Sequence, residues 1–240
     1  MLILQPGVMA FYSAELHAGE HKHSAVQVVW PVAAGGWQLD QTDASPSEQP
    51  MLIASGVRHE LRAKQCWVIL LERHSRAGRA ATKLLGDHTA FALQEAPLEQ
   101  AMIVQNPAHM LGALAGLLGV SAQAFNPQPD DVRLRRLVAQ LDQCFVQGCV
   151  KPEQWRAGEI AADLGLSESR FLHLFRQHME IPWRPYLLWR RLLCACNGLR
   201  TGKSATAAAL DAGFSDSAHL SRTFRAYFGM SVREALTMAK

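Results

Sequence analysis

The 240-residue chain lacks any long apolar run: the longest, Met110 to Val120, is about half of what is needed to cross a bilayer. Its start, MLILQPGVMAFYSAEL, lacks the basic stretch and apolar core of a secretory leader, so a cytoplasmic protein without a membrane partner is expected. Cysteine is scarce. The five present (Cys66, Cys144, Cys149, Cys194, Cys196) are odd in number and contain no CxxC pair. Free thiols are therefore expected, and a disulfide framework is not. No clear nucleophile, base or cofactor loop can be found, which argues against an enzyme.

The residues that are present describe a globular protein. With 49% hydrophobic and 19% charged residues, the chain can bury a sizeable core, and its length suits one large domain or two ordinary ones. The net charge of +3 is unevenly spread: residues 1–130 hold 8 Lys and Arg against 11 Asp and Glu, and residues 131–240 hold 16 against 10. An acidic half joined to a basic half suggests that the second half meets a polyanion. A non-specific architectural protein would normally be more basic than this.

Two regimes of pattern follow the same division, predicting an α+β two-domain chain. Residues 1–95 read as strands: Val26 to Trp30 and Cys66 to Leu71 are β-branched and aromatic runs, with turns expected at Gly35-Gly36 and Ser45-Pro46. Short strands separated by turns suggest a small sandwich or barrel. Residues 96–125 turn helical, with Leu111, Leu114, Leu117 and Leu118 on one face. Residues 126–131 read as a linker, and 132–240 as an all-helical domain. The leucine face could pair with its copy in a homodimer or pack on its own domain; the pattern leaves both open.

The last domain contains an internal echo. Ala161-Ala162-Asp163-Leu164-Gly165-Leu166-Ser167 precedes a helix bearing Phe171, Leu174 and Phe175. Ala208-Ala209-Leu210-Asp211-Ala212-Gly213-Phe214-Ser215-Asp216 precedes one bearing Leu220, Phe224 and Phe228. The glycines are 48 residues apart and the phenylalanines 49, so the second turn is one residue longer. Small residues let two helices approach, Gly165 and Gly213 supply a left-handed stop, and Ser167 and Asp216 are placed to cap the next helix. The pattern is that of two helix-turn-helix units, joined by a helix from Trp183 to Leu199 that stops at Gly202.

Here the sequence resembles the AraC family of bacterial regulators. The match is carried by Ala212 to Gly229, followed by Ser231, and by Ser167 to Arg176, and covers residues 131–240. It departs from the family in having Val232 where proline is usual, and Glu180-Ile181 where glycine and an apolar residue are usual. The resemblance implies two recognition helices in successive major grooves of double-stranded DNA. Ser169, Arg170, His173 and Arg176 would face it from the first unit, and Ser217, Ser221, Arg222 and Arg225 from the second. Arg222 is the candidate to read guanine through its bidentate fork, and Arg176 and Arg225 to hold phosphates. The bland alternative is that these are solvated helix faces.

His17, His21 and His23 cluster and Gly56-Val57-Arg58-His59 follows; His21-x-His23 and Gly56-x-x-His59 resemble the two halves of the cupin motif, which implies a β-barrel sensor with a small effector at its mouth. Converging histidines could hold a divalent metal such as Zn, Ni or Cu. The carboxylate usual in metal cupins is absent; Gln27 stands near its place. An inherited scaffold with hydrogen-bonded histidines fits the same residues. Cys66, in an apolar run, reads as a buried inert thiol, and no other cysteine precedes Cys144, which sets aside an alkyl-transfer repair sensor. The expectation is an effector-controlled transcription regulator that binds DNA and meets RNA polymerase. The alternative is a metal-responsive regulator, or a cupin-type metal-binding protein with a DNA-binding domain.

Overall fold

The computed structural model describes residues 1–40, 47–95, 97–99, 107–126, 129–149 and 155–238. The expected turn at Ser45-Pro46, parts of the 96–106 stretch and Pro127-Gln128 of the expected linker lie outside the described residues. The chain forms two compact units. One is Met1–Asn126 together with Ser221–Lys240, and the other is Pro127–Leu220.

The first unit is built on antiparallel strands β1 (Leu2–Gln5), β2 (Val8–His21), β3 (Ala25–Leu39), β4 (Met51–Ile53), β5 (His59–Glu72) and β6 (Ala90–Ala92). Their order in the sheet is β1-β2-β5-β3-β4-β6. The expected cupin-like barrel is thus corrected: among the described residues the sheet is open, with β1 and β6 as its edges. Helices do the work that closure would have done. Helices α1 (Arg76–Leu85) and α2 (Pro107–Leu117) and a short 3-10 turn at Ala122–Phe125 complete its core. They bring Ala77, Ala81, Leu85, Met110, Leu114 and Phe125 into one cluster with Val8, Val26, Trp67 and Ile69. A sheet covered by helices need not close on itself to bury its apolar face.

Two local expectations change, and one left open is decided. The region read as strands to residue 95 contains α1, whose Ala77, Ala81 and Leu85 recur at i, i+4 and i+8 on a buried face. Ser75 caps it by accepting from the Gly78 amide at 3.0 Å. Gly35-Gly36 is a bulge inside β3, where the register with β5 shifts between Pro31 and Gly36. A side chain at Gly35 would run into the carbonyls of Val32, Lys64 and Gln65. The leucine face of α2 packs into its own core: Leu114 and Leu118 are buried, and Leu111 and Leu117 lie against the same cluster.

The second unit holds α3 (Val132–Val146), α4 (Ala157–Asp163), α5 (Glu168–Met179), α6 (Trp183–Arg200) and α7 (Ala205–Asp211). Helix α8 (Ser217–Phe228) spans the boundary, and α9 (Val232–Met238) belongs to the first unit. Phe171, Phe175, Trp183 and Tyr186 form an aromatic cluster, packed with Leu134, Val138 and Ile160. The expectation of free thiols is corrected at one pair. Cys149 and Cys194 are joined as a disulfide, with α-carbons 5.4 Å apart. Gly148 (φ 93°) and Cys149 (φ 58°) turn the chain back after α3, which brings Cys149 to α6. Cys66 and Cys196 are buried thiols outside any disulfide. No described helix is long and apolar enough to cross a membrane.

Candidate DNA-binding face and buried histidine cluster

The two turns repeat one hydrogen-bond pattern. After α4, the Gly165 amide donates to the Ala162 carbonyl (3.0 Å) and the Leu166 amide to Ala161 (2.8 Å). After α7, the Gly213 amide donates to Leu210 (2.8 Å) and the Phe214 amide to Ala209 (2.8 Å). This closing pattern needs a left-handed residue, and Gly165 (φ 66°) and Gly213 (φ 82°) provide it. The next helix is capped in both units. Ser167 Oγ accepts from the Arg170 amide at 3.3 Å, and Asp216 Oδ1 accepts from the His219 amide at 2.6 Å. Ala161 and Ala209 are fully buried, as close helix approach requires.

Helices α5 and α8 then each bury one stripe and expose the other. On α5, Phe171, Leu174, Phe175 and Met179 are buried, while Ser169, Arg170, His173 and Arg176 are exposed. On α8, Leu220, Phe224, Tyr227 and Phe228 are buried, Ser221, Arg222 and Arg225 are exposed, and Ser217 is half-buried. The exposed sets supply hydroxyls and guanidiniums, the donors that base edges and phosphates accept.

Two departures from the family pattern gain a physical account. Glu180 closes α5 in the left-handed conformation (φ 52°) that glycine usually fills. Val232 stands at the first position of α9, where proline is favoured but not required. The helix start is secured instead by Ser231 and Glu234. The Glu234 amide donates to Ser231 Oγ (3.2 Å) and the Ser231 amide to Glu234 Oε2 (2.5 Å).

Sequence reasoning missed the arginines of α6. Arg190, almost fully buried, donates to Asp142 Oδ1 at 2.6 Å and so ties α6 to α3. Arg191 donates to the carbonyls of Ala212 (3.0 Å) and Gly213 and lies 4.5 Å over the Phe214 ring. Two adjacent arginines on an apolar helix were the available signal.

The structure divides the expected histidine group. His17 is exposed and pairs with Glu60 at 3.1 Å, standing apart from the other three. It lines an open cleft of about 550 Å³ with Trp37, Arg62 and Lys64. The remaining three converge. His21 ends β2, His59 begins β5, and they are direct partners in antiparallel register, so their side chains share a face. His23 lies in the connection between β2 and β3, and its ring joins the pair. Ring centroids lie 4.3 Å (His21–His59), 5.3 Å (His23–His59) and 5.6 Å (His21–His23) apart. A ring nitrogen from each lies within 4.8 Å of the other two.

Each ring is held by Nδ1 against a backbone carbonyl: His21 on Gly19 (2.8 Å), His23 on Ala25 (3.0 Å) and His59 on Val57 (3.1 Å). An Nδ1–H donated in this way leaves the lone pair on Nε2, the arrangement that prepares a histidine for a metal. Burial, aided by the neighbouring His59, brings His21 down to about 4. Burial likewise brings His23 down to about 3, against a partly opposing bond from Gln27, and lowers His59. All three are neutral near pH 7.

Two nitrogens in the cluster are buried without a hydrogen-bond partner among the described residues: His59 Nε2 and Gln27 Nε2. His23 Nε2 lies 2.8 Å from Gln27 Oε1. A neutral imidazole has one N–H for the two oxygens that flank His23. Turning the Gln27 amide end for end would satisfy His23 and Gln27, but not His59. A divalent ion taken on the three Nε2 atoms would give His59 Nε2 a partner, with Gln27 Oε1 as an oxygen ligand, while the Gln27 Nε2 hydrogens would still need an acceptor. Tetrahedral nitrogens at about 2.1 Å from zinc stand about 3.4 Å apart, so the set would draw in by about 1 Å. The residues fit an imidazole-binding ion of the Zn, Ni or Cu class.

Residues 160–238 match the family described as a helix-turn-helix domain. The HTH-type transcriptional activator RhaS of Escherichia fergusonii is 36% identical over 105 residues, 43% of this chain and 36% of RhaS, so the match spans about a third of that relative's length. Among solved structures, ToxT of Vibrio cholerae bound to an unsaturated fatty acid has 12% identity and a TM-score of 0.49, covering 99% of this chain and 98% of ToxT. An AraC-type DNA-binding transcriptional regulator of Chromobacterium violaceum has 26% identity and a TM-score of 0.37, covering 46% of this chain and 98% of its own.

Proposed function

We propose that this chain, which carries an AraC-type helix-turn-helix domain in residues 160–238, is a ligand-controlled, sequence-specific DNA-binding regulator of transcription rather than an enzyme. The observation that carries this reading is the repeated turn: one closing pattern at Gly165 and Gly213, each followed by a capped helix with an exposed Ser and Arg face. Isolated solvated arginines would need no such duplication. Arg222 reads a base edge, Arg176 and Arg225 hold phosphates, and the bound protein meets RNA polymerase at the promoter. A homodimer, where one forms, uses a face other than the leucine stripe of α2.

Two ligand sites are candidates. The cleft bordered by Trp37, Arg62 and Lys64 has the volume of a small organic ligand. The buried His21, His23 and His59 fit a divalent metal, and the unpartnered His59 Nε2 favours this second reading. Footprinting of the full chain on fragments of its host genome, at about 150 mM salt to suppress purely electrostatic binding, tests the function. A protected stretch of about two helical turns, strengthened or weakened by zinc(II), is the expected result. Uniform retardation with no protected site, with or without zinc, would overturn it.

A further inference from the structure

We infer that the histidine cluster is latched to the second recognition helix, so that metal loading and the seating of α8 form a single equilibrium. This inference rests on the metal reading above and adds how occupancy would be sensed.

The last turn of α8 and the residues after it lie in the first unit, against the loop that carries the cluster. The Tyr227 hydroxyl accepts from the Ser24 amide (3.2 Å) and bonds the Ser24 hydroxyl (2.8 Å). Ser24 separates His23 from Ala25, whose carbonyl holds the His23 ring. The Tyr227 ring also lies 5.9 Å from that of His23. Two residues further on, the Gly229 carbonyl accepts from the Gly19 amide (3.0 Å), and Gly19's own carbonyl holds His21. The approach is close enough that a β-carbon on Gly229 would stand 2.6 Å from His21 Nδ1. Two of the three candidate ligands are thus oriented by short segments that α8 and Gly229 fasten.

Metal binding draws the three rings inward and fixes segment 19–24. Without the ion, each ring is held by its backbone carbonyl and, for His23, by Gln27, and no shared ligand ties one ring to the next. The segment that Tyr227 and Gly229 grip is therefore stiffer in the loaded state, and by reciprocity a seated α8 must raise metal affinity by the same factor. Ser221, Arg222 and Arg225 lie on the same short helix as Tyr227, so the seating of its last turn sets where those side chains point. Tyr227 is a positioning residue, since its hydroxyl acts through Ser24.

The test uses the full chain and zinc(II) alone. Zinc affinity is measured by calorimetry for the wild type, His59→Ala, Tyr227→Phe and Ser24→Ala, with circular dichroism as the check on folding. Amide exchange across 219–230 is followed in the wild type with and without zinc, which needs no variant to fold. The inference expects one zinc per chain, lost in His59→Ala, and exchange across 225–230 slowed about tenfold by zinc. It expects both latch variants to bind zinc three- to tenfold more weakly, with the double variant no worse than either. Tight zinc binding with unchanged exchange and wild-type affinity in both latch variants would overturn the latch and leave the metal reading standing. A wild type that binds no zinc would overturn both.

Discussion

Arg191 reaches from the middle of α6 to the carbonyl of Gly213, the residue on which the second helix-turn-helix bends. The same guanidinium donates to Ala212 and covers the Phe214 ring, so one side chain braces the whole turn. Charged hydrogen bonds of this kind are worth about 1.5–3 kcal/mol each when partly buried. Arg191→Ala is expected to lower stability by about 2 kcal/mol in urea denaturation and to weaken specific DNA binding. Arg191→Lys, lacking the planar fork, should recover less than half of the loss. A variant as stable as the wild type would show that the turn holds without the brace.

Arg222 and Arg225, both exposed on α8, should separate in their effects. Arg222→Ala is expected to cost about 1–3 kcal/mol on the preferred site and to relax preference at one base pair, read by competition with a randomised site library. Arg225→Ala should weaken all sequences alike and reduce the salt slope by about one. Equal loss on all sequences for Arg222→Ala would remove it from base reading.

The left-handed Glu180 offers a stabilising change. A residue with a β-carbon pays about 1–2 kcal/mol in that conformation, partly offset by the greater freedom of glycine in the unfolded chain. Glu180→Gly should raise stability by about 0.5–1 kcal/mol, measured by the urea midpoint with an unchanged slope.

The Cys149–Cys194 bridge closes 45 residues of chain spanning the first helix-turn-helix unit. Restriction of the unfolded chain by a loop of this size stabilises by about 2–4 kcal/mol. Reduction, or Cys194→Ser, should lower the melting temperature by several degrees. An unchanged melting temperature, with both thiols titratable before reduction, would show that the bridge does not form in solution.

Asp131 caps α3, accepting from the Arg133 amide at 2.9 Å and pairing with the Arg133 guanidinium at 2.7 Å. The Arg133 side chain and the amides bring its carboxyl down to about 2 from 3.8. A carboxyl lowered on folding stabilises above its unfolded value and loses that contribution as pH falls through its folded one. Asp131→Ala should therefore be about 1 kcal/mol less stable than the wild type at pH 6. The gap should narrow as pH falls from about 4 towards 2. A gap that stays constant with pH would remove the carboxylate's charge from the cap.

The helix-turn-helix units were legible in the sequence because their determinants are local. A small alanine, a left-handed glycine and a cap act over about ten residues, and each leaves its own residue type. The apolar runs in β3 and β5 were legible for the same reason. Closure of the sheet was not, since whether an edge pairs depends on what covers the face, and α1 carries a short pattern inside a region dominated by strands. His21, His23 and His59 could be grouped by motif; His17 was joined to them by closeness in sequence alone, and its position opposite Arg62 in the register turns it to solvent. Tyr227 and Ser24 are 203 residues apart, and no local rule connects them.

The boundary between compact units falls inside α8, and this bears on how such a chain can be rearranged. A single crossover at the 126–131 linker would pair a foreign sheet with Tyr227 and Gly229, which grip residues that the new sheet need not possess. A working exchange would have to carry Gly19 and Ser24 along, or replace the strip from Ser221 onward as well. The sheet unit and the helix-turn-helix unit of this chain can be exchanged separately only if two distant stretches of sequence change hands together.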